Sequence, residues 1–184
     1  MSPKLISALP AALFVLACTE PAPAIRVGPD WSDAEKGQLE LALSSWYYAT
    51  TGSPAYSWET GGTDEFPVVY KVRHSDLDRS SPCGCEKCQT FGGCAHRPAR
   101  YLWSIYVFTD TLETIPEPTA FYTVLLHELG HAGGIYSDLD EASCDDASRP
   151  TPVMCPTYRG QLSLTRNDAA LACDWTDEDC EPAF

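Results

Sequence analysis

Hydrophobic and polar positions follow two periods along this chain, and each period marks out elements. Ile25-Arg26-Val27 alternates as a short strand. Leu39, Leu43, Trp46 and Tyr47 recur at helical spacing, which predicts a helix packing one face on a core. Ser32 and Glu35 form the S-x-x-E capping pattern at its start, and Thr51-Gly52 ends it. Tyr56-Ser57-Trp58 reads as a short strand and Gly61-Gly62-Thr63-Asp64 as a turn. Phe66 to Val72 reads as a strand, with Pro67 near its start where proline is tolerated. Asp76 to Arg100 is read as a loop carrying four cysteines. Tyr101 to Phe108 is the strongest strand, and its near-continuous hydrophobicity predicts burial on both faces. After a loop over Thr111 to Pro118, a second long helix is expected from about Thr119 to Gly133. Its first half, Phe121 to Leu126, is apolar enough to be buried, and Gly133-Gly134 can end it through a left-handed residue. An irregular acidic segment, Ser137 to Thr151, follows. The last helix is placed at about Arg166 to Cys173, with Thr165 as N-cap and Asp168 near its positive end. An acidic tail, Asp174 to Phe184, carries Cys180.

No internal repeat or second domain interrupts this order. The 184 residues suffice for one real core, so residues 25–184 are read as a single domain. Residues 1–17 read as a signal peptide: Lys4 supplies the positive charge, and Leu5 to Ala17 is an apolar core too short to span a bilayer comfortably. It ends in Val15-Leu16-Ala17-Cys18, which resembles a bacterial lipobox with Cys18 as the lipidated first residue. Ordinary cleavage after Ala22-Pro23-Ala24 is the alternative. With Cys18 as the first residue, residues 18–24 would be a Pro-rich tether. Thr19, in place of aspartate, points to an outer-membrane anchor by analogy; a secreted protein is the other outcome. The membrane would be touched only through that lipid, and a monomer is expected.

The formal charge is −14 and the pI about 4.4, which excludes nucleic acid as a natural partner because its backbone attracts Lys and Arg. Of nine cysteines, eight remain once Cys18 carries lipid. Up to four disulfides in an exported chain follow, with a pairing that sequence leaves open. The cluster Cys83, Cys85, Cys88, Cys94 and His96 could instead hold a structural zinc, although an oxidising compartment favours disulfides. His74 and His96 are otherwise read as surface residues.

The chemistry concentrates in Val124 to Asp138, VLLHELGHAGGIYSD. His127 and His131 stand four residues apart, on one face of a helix, with Glu128 about 100° round the same turn. Two neutral imidazoles suit Zn²⁺, and a free carboxylate beside the metal suits a general base acting on activated water.

With Gly134 and the later Val153-Met154-Cys155-Pro156-Thr157-Tyr158, these residues resemble the metzincin zinc peptidases, most closely the matrixin-like branch. That signature runs H-E-x-x-H-x-x-G-x-x-H or D and is followed by a Met-turn. Leu162 to Asp168 is similar to the family's entry to its last helix. The resemblance implies an α/β (α+β) fold: a twisted, mostly parallel sheet, two long helices and a small C-terminal subdomain with one helix. It implies a zinc-dependent endopeptidase with Glu128 as catalytic base, Met154 as an apolar floor, and Tyr158 lining the pocket for the side chain after the cleaved bond. One position departs. The third ligand would fall on Ser137, a poor zinc ligand. Asp138 is the preferred substitute, with Asp140 or Glu141, or a degraded site, as alternatives. Cys144 and Cys155 could brace the long segment that follows. Its acidic residues (Asp138, Asp140, Glu141, Asp145 and Asp146) could bind Ca²⁺, though a solvated loop explains them as well. No pro-segment or cysteine-switch motif is recognised before the domain, so latency is expected to come from elsewhere. A non-catalytic lipoprotein using the cleft to bind peptide or a protein partner is the alternative function; another zinc hydrolase, such as an amidase, is a third.

Overall fold

The computed structural model describes residues 24–50, 58–61, 66–84, 92–99, 102–115, 119–135, 137–139, 144–145, 150–156 and 160–176. The leader with Cys18, the Thr51-Gly52 terminator, Cys85, Cys88, Asp140, Glu141, Asp146, Tyr158 and Cys180 lie outside these residues.

The chain is α/β, with a five-stranded, mostly parallel sheet. In chain order the elements are β1 (Ile25–Val27), α1 (Asp33–Ala49), β2 (Trp58–Thr60), β3 (Val68–Val72), β4 (Gly93–Ala99), β5 (Leu102–Phe108), α2 (Thr109–Leu112), α3 (Ala120–Gly133) and α4 (Arg166–Thr176). The strand order is β2-β1-β3-β5-β4. All neighbours are parallel except β4, which runs antiparallel to β5 at the edge.

Local chemistry explains where α1 begins. Ser32 Oγ accepts from the Glu35 N–H at 3.3 Å, and the Glu35 carboxylate accepts from the Ser32 N–H at 2.7 Å. Glu35 also meets Lys71 of β3 at 3.0 Å, which ties the helix start to the sheet. Although burial opposes it, these hydrogen bonds and the Lys71 charge hold the Glu35 carboxyl below its ordinary range.

The two long helices pack on each other. Trp46 Nε1 donates to Leu126 O at 2.8 Å, and Trp31 meets Phe121 edge-on at 5.4 Å. Ile25, Val27, Val69, Trp103, Ile105 and Val107 from the sheet share one core with Leu39 and Leu43 of α1 and Leu125, Leu126 and Leu129 of α3. Leu164, Ala169 and Ala172 at the C-terminal helix join the same core. As its unbroken hydrophobicity predicts, β5 is buried at successive positions, Trp103, Ser104 and Ile105.

Two expectations change. The loop read over Asp76 to Arg100 contains a strand, β4, whose sequence Gly-Cys-Ala-His-Arg-Pro-Ala shows no alternation. An edge strand tolerates such a sequence, proline included, because one side of its backbone needs no strand partner. His74 and His96 are half-buried rather than surface residues. His74 Nδ1 lies 2.9 Å from Asp110 and its ring stacks on Phe108 at 3.8 Å, while His96 stands opposite Ser104 in the sheet. Cys83 and Cys94 form a disulfide, as do Cys144 and Cys155. Among the described residues no helix is long and apolar enough to cross a membrane.

Candidate metal centre

The site is built on α3, and glycines decide how closely its neighbours approach. Gly134, at φ 124°, ends the helix in a conformation that favours glycine, and its N–H reaches Gly130 O at 3.1 Å and His131 O at 3.0 Å. Above α3 runs β4. A Cβ on Gly93 would stand 2.7 Å from both Cγ and Oε1 of Glu128, so only glycine lets the strand lie this close. Below α3 sits Met154, fully buried, where a Cβ on Gly130 would overlap its sulfur.

His127 and His131 face each other one turn apart, with Nε2 atoms 3.1 Å from one another. The Asp138 carboxylate completes a triangle: its Oδ1 lies 3.1 Å from His127 Nε2 and 3.0 Å from His131 Nε2. The three ligand atoms fall within 4.8 Å of one another. Ser137, the formal third position, is exposed.

The far nitrogens fix the orientation of both rings. His127 Nδ1 lies 2.8 Å from Val153 O, and His131 Nδ1 lies 2.6 Å from Ile135 O. A carbonyl only accepts, so each Nδ1 must carry the hydrogen. In the neutral ring each Nε2 is then a lone pair aimed at the centre. Three acceptors converging with no donor among them call for a cation. Two imidazoles and one carboxylate match a zinc donor set, so the residues fit that metal.

Without metal, a proton is the cation at hand. Burial disfavours a charged His127, but the hydrogen bond to Asp138 and the charges of Glu128 and Asp138 outweigh it and lift its pKa to about 9. Burial likewise opposes ionisation of Asp138, yet both imidazoles hold its carboxyl well below the usual range.

Glu128 is 5 % exposed. Burial pushes its carboxyl up, against the pull of the imidazoles and a hydrogen bond from the Ala95 backbone in β4. Its Oε2 is buried with no hydrogen-bond partner among the described residues. A carboxylate with one oxygen held and the other spare has room for a reacting proton. The cleft beside it, about 280 Å³, lies between β4 and the Val153–Pro156 segment, with Ile115, Thr123 and Gln161 along its walls.

Asp168 has a role that spacing alone did not show. Read as a charge near a helix start, it is 0 % exposed and holds the Val153–Met154 backbone beside the site. It accepts from the N–H groups of Val153 at 3.1 Å, Met154 at 3.0 Å and Thr165 at 2.7 Å, and from Thr165 Oγ1 at 2.8 Å. Val153 O is the acceptor that orients His127, so Asp168 supports this candidate ligand through one peptide unit. The T-x-x-D pattern was a legible cap signal; the second job needs the Met154 segment folded against α4.

Tyr158 lies outside the described residues. No family model matches this sequence, and no curated protein matches it either.

Proposed function

We propose that this chain is a zinc-dependent endopeptidase of metzincin type, matrixin-like, that hydrolyses peptide bonds of proteins outside the cytoplasm. One observation carries the reading: His127, His131 and Asp138 turn three acceptor atoms on one point, with buried Glu128 on the same helix turn. Disulfides at Cys83–Cys94 and Cys144–Cys155 support an oxidising, extracytoplasmic setting, reached through the leader and anchored by lipid at Cys18.

His127, His131 and Asp138 would hold the metal. A bound zinc ion supplies Lewis-acid polarisation of water and of the scissile carbonyl. Glu128 takes the proton of the attacking water and returns it to the departing amine. Its buried Oε2, with no hydrogen-bond partner among the described residues, is the atom placed to carry that proton. β4 is the sheet edge along the cleft, so an extended peptide would pair beside it. Met154 forms the apolar floor, and Tyr158 is assigned to the pocket wall by resemblance.

The test pairs metal content with hydrolysis. Wild type should carry one zinc, Asp138→Ala should lose it or hold it weakly, and Glu128→Gln should keep it while peptide cleavage falls about 10²–10⁴-fold. A folded, zinc-loaded Glu128→Gln protein with undiminished cleavage would sink the assignment. Zinc without any peptidase activity in wild type would turn the reading to a peptide- or protein-binding lipoprotein.

A further inference from the structure

Both imidazoles ride on α3, and that one helix sets their register. Asp138 has no such support. It leaves the helix past Gly134 and is 37 % exposed at its side chain, yet it must present one oxygen to both rings. Two ties beyond it reach the same short segment. Leu139 N donates to Met154 O at 2.9 Å, and Cys144 is bonded to Cys155 with Cα atoms 5.8 Å apart. That segment is itself anchored, because the Asp168 carboxylate holds the N–H groups of Val153 and Met154. Cys144 and Cys155 are 4 % and 3 % exposed, and Cys155 lines the cleft itself.

We propose that the Cys144–Cys155 disulfide positions Asp138 as the third metal ligand, so that the metal centre is completed only in the oxidised chain. This rests on the metal reading of the site and goes beyond it. Before the bond forms, two imidazoles and a loosely placed carboxylate make a weak site. When it forms, two thiols lose two protons and two electrons to a disulfide oxidant of the export compartment, whose own sulfur–sulfur bond is reduced to two thiols. Cys144, downstream of Asp138, is then tied to the Met154 segment, and the effective concentration of the carboxylate at the imidazoles rises. Such coupling keeps the chain metal-poor until the disulfide forms.

The experiment measures zinc dissociation constants by competition with a chromophoric chelator. It uses four proteins: wild type, Asp138→Ala, the pair Cys144→Ser with Cys155→Ser, and all three changes together. Serines also remove the thiols as stray ligands. Circular dichroism and thermal melting check the fold of each, and the pair Cys144→Ala with Cys155→Val, which keeps the buried site apolar, replaces the serines where these do not fold. Loss of the disulfide is expected to weaken zinc about tenfold or more, the range seen when support of a metal ligand is removed. The triple variant should bind no more weakly than Asp138→Ala, because the crosslink acts through that carboxylate. Equal affinity with and without the disulfide overturns the proposal. So does a triple variant weaker than Asp138→Ala by the full disulfide effect, which would assign the crosslink to the fold at large. A wild type that binds no zinc at all is a different failure, that of the metal reading itself.

Discussion

Asp168 gathers four donors on one buried carboxylate, and removing it should be felt at both ends of the contacts it bridges. Asp168→Ala would strand the Val153, Met154 and Thr165 N–H groups away from water. At about 1–3 kcal/mol for an unsatisfied buried group, shared among partly relaxing partners, a loss of roughly 2–4 kcal/mol is expected in urea unfolding, together with weaker zinc binding. Unchanged stability would mean the Met154 segment is held by other contacts. His127 makes a second residue-scale prediction. Its pKa is raised from 6.5 to about 9, so at neutral pH the metal-free site carries a proton that metal must displace. Apparent zinc affinity should therefore climb with pH, by up to about tenfold per unit, and level off above pH 9. The stability of the metal-free protein moves the other way. A raised histidine pKa contributes stability that is fully present below pH 6.5 and is lost as pH rises through about 9. The depressed pKa of Asp138 adds a contribution present above pH 3.8 and lost as pH falls below it. Chemical unfolding of chelated protein across roughly pH 2–10 reads both flanks. A flat profile between pH 6.5 and 9 would remove His127 as the proton-holding group.

At the scale of elements, the site is a sandwich of β4, α3 and the Met154 segment, and its spacing is set by two glycines. Gly93→Ala would drive a methyl group into Glu128 and Val124, each 2.7 Å from the added carbon. Lifting β4 off the helix should cost about 1–3 kcal/mol and break the Ala95 hydrogen bond to Glu128, so hydrolysis should fall more than zinc affinity. Gly130→Ala works from below, against the Met154 sulfur and against Trp46 Cζ2 at 2.9 Å; a comparable destabilisation is expected, this time with weakened metal binding. Thermal melts beside zinc titrations separate the two outcomes. Elements with strong local signals were legible in advance. Ser32 and Glu35 cap α1, Ala120–Gly133 is helical where apolar spacing and Gly133-Gly134 required it, and the hydrophobic run before Thr109 is the buried strand β5. β4 was not legible, because Gly93–Ala99 has neither alternation nor β-branched residues and gains its conformation from pairing with β5.

For the whole molecule, a ligand that binds only the folded chain adds to its stability by mass action. Zinc at 100 times its dissociation constant should contribute about 2.7 kcal/mol, a rise of roughly 5–10 °C in Tm for a chain of this size, reversed by chelation. A melting temperature indifferent to zinc and chelator would dissociate the metal from the fold. The placing of His127 and His131 with Glu128 on one helix was determined by sequence alone, since helical spacing is a local property that neighbouring residues enforce, whereas the α/β architecture was an expectation from resemblance. The parallel order of β1, β3 and β5 and the antiparallel edge at β4 depend on segments that meet only after folding. The same holds for three features of the site. Asp138 is the residue brought to the imidazoles ahead of its neighbour Ser137, Asp168 lies under the Met154 segment, and Cys144 pairs with Cys155. Each is decided by where a loop lands on a distant element. Spacing along the chain sets only the reach of such a loop, while packing against the core selects which side chain arrives.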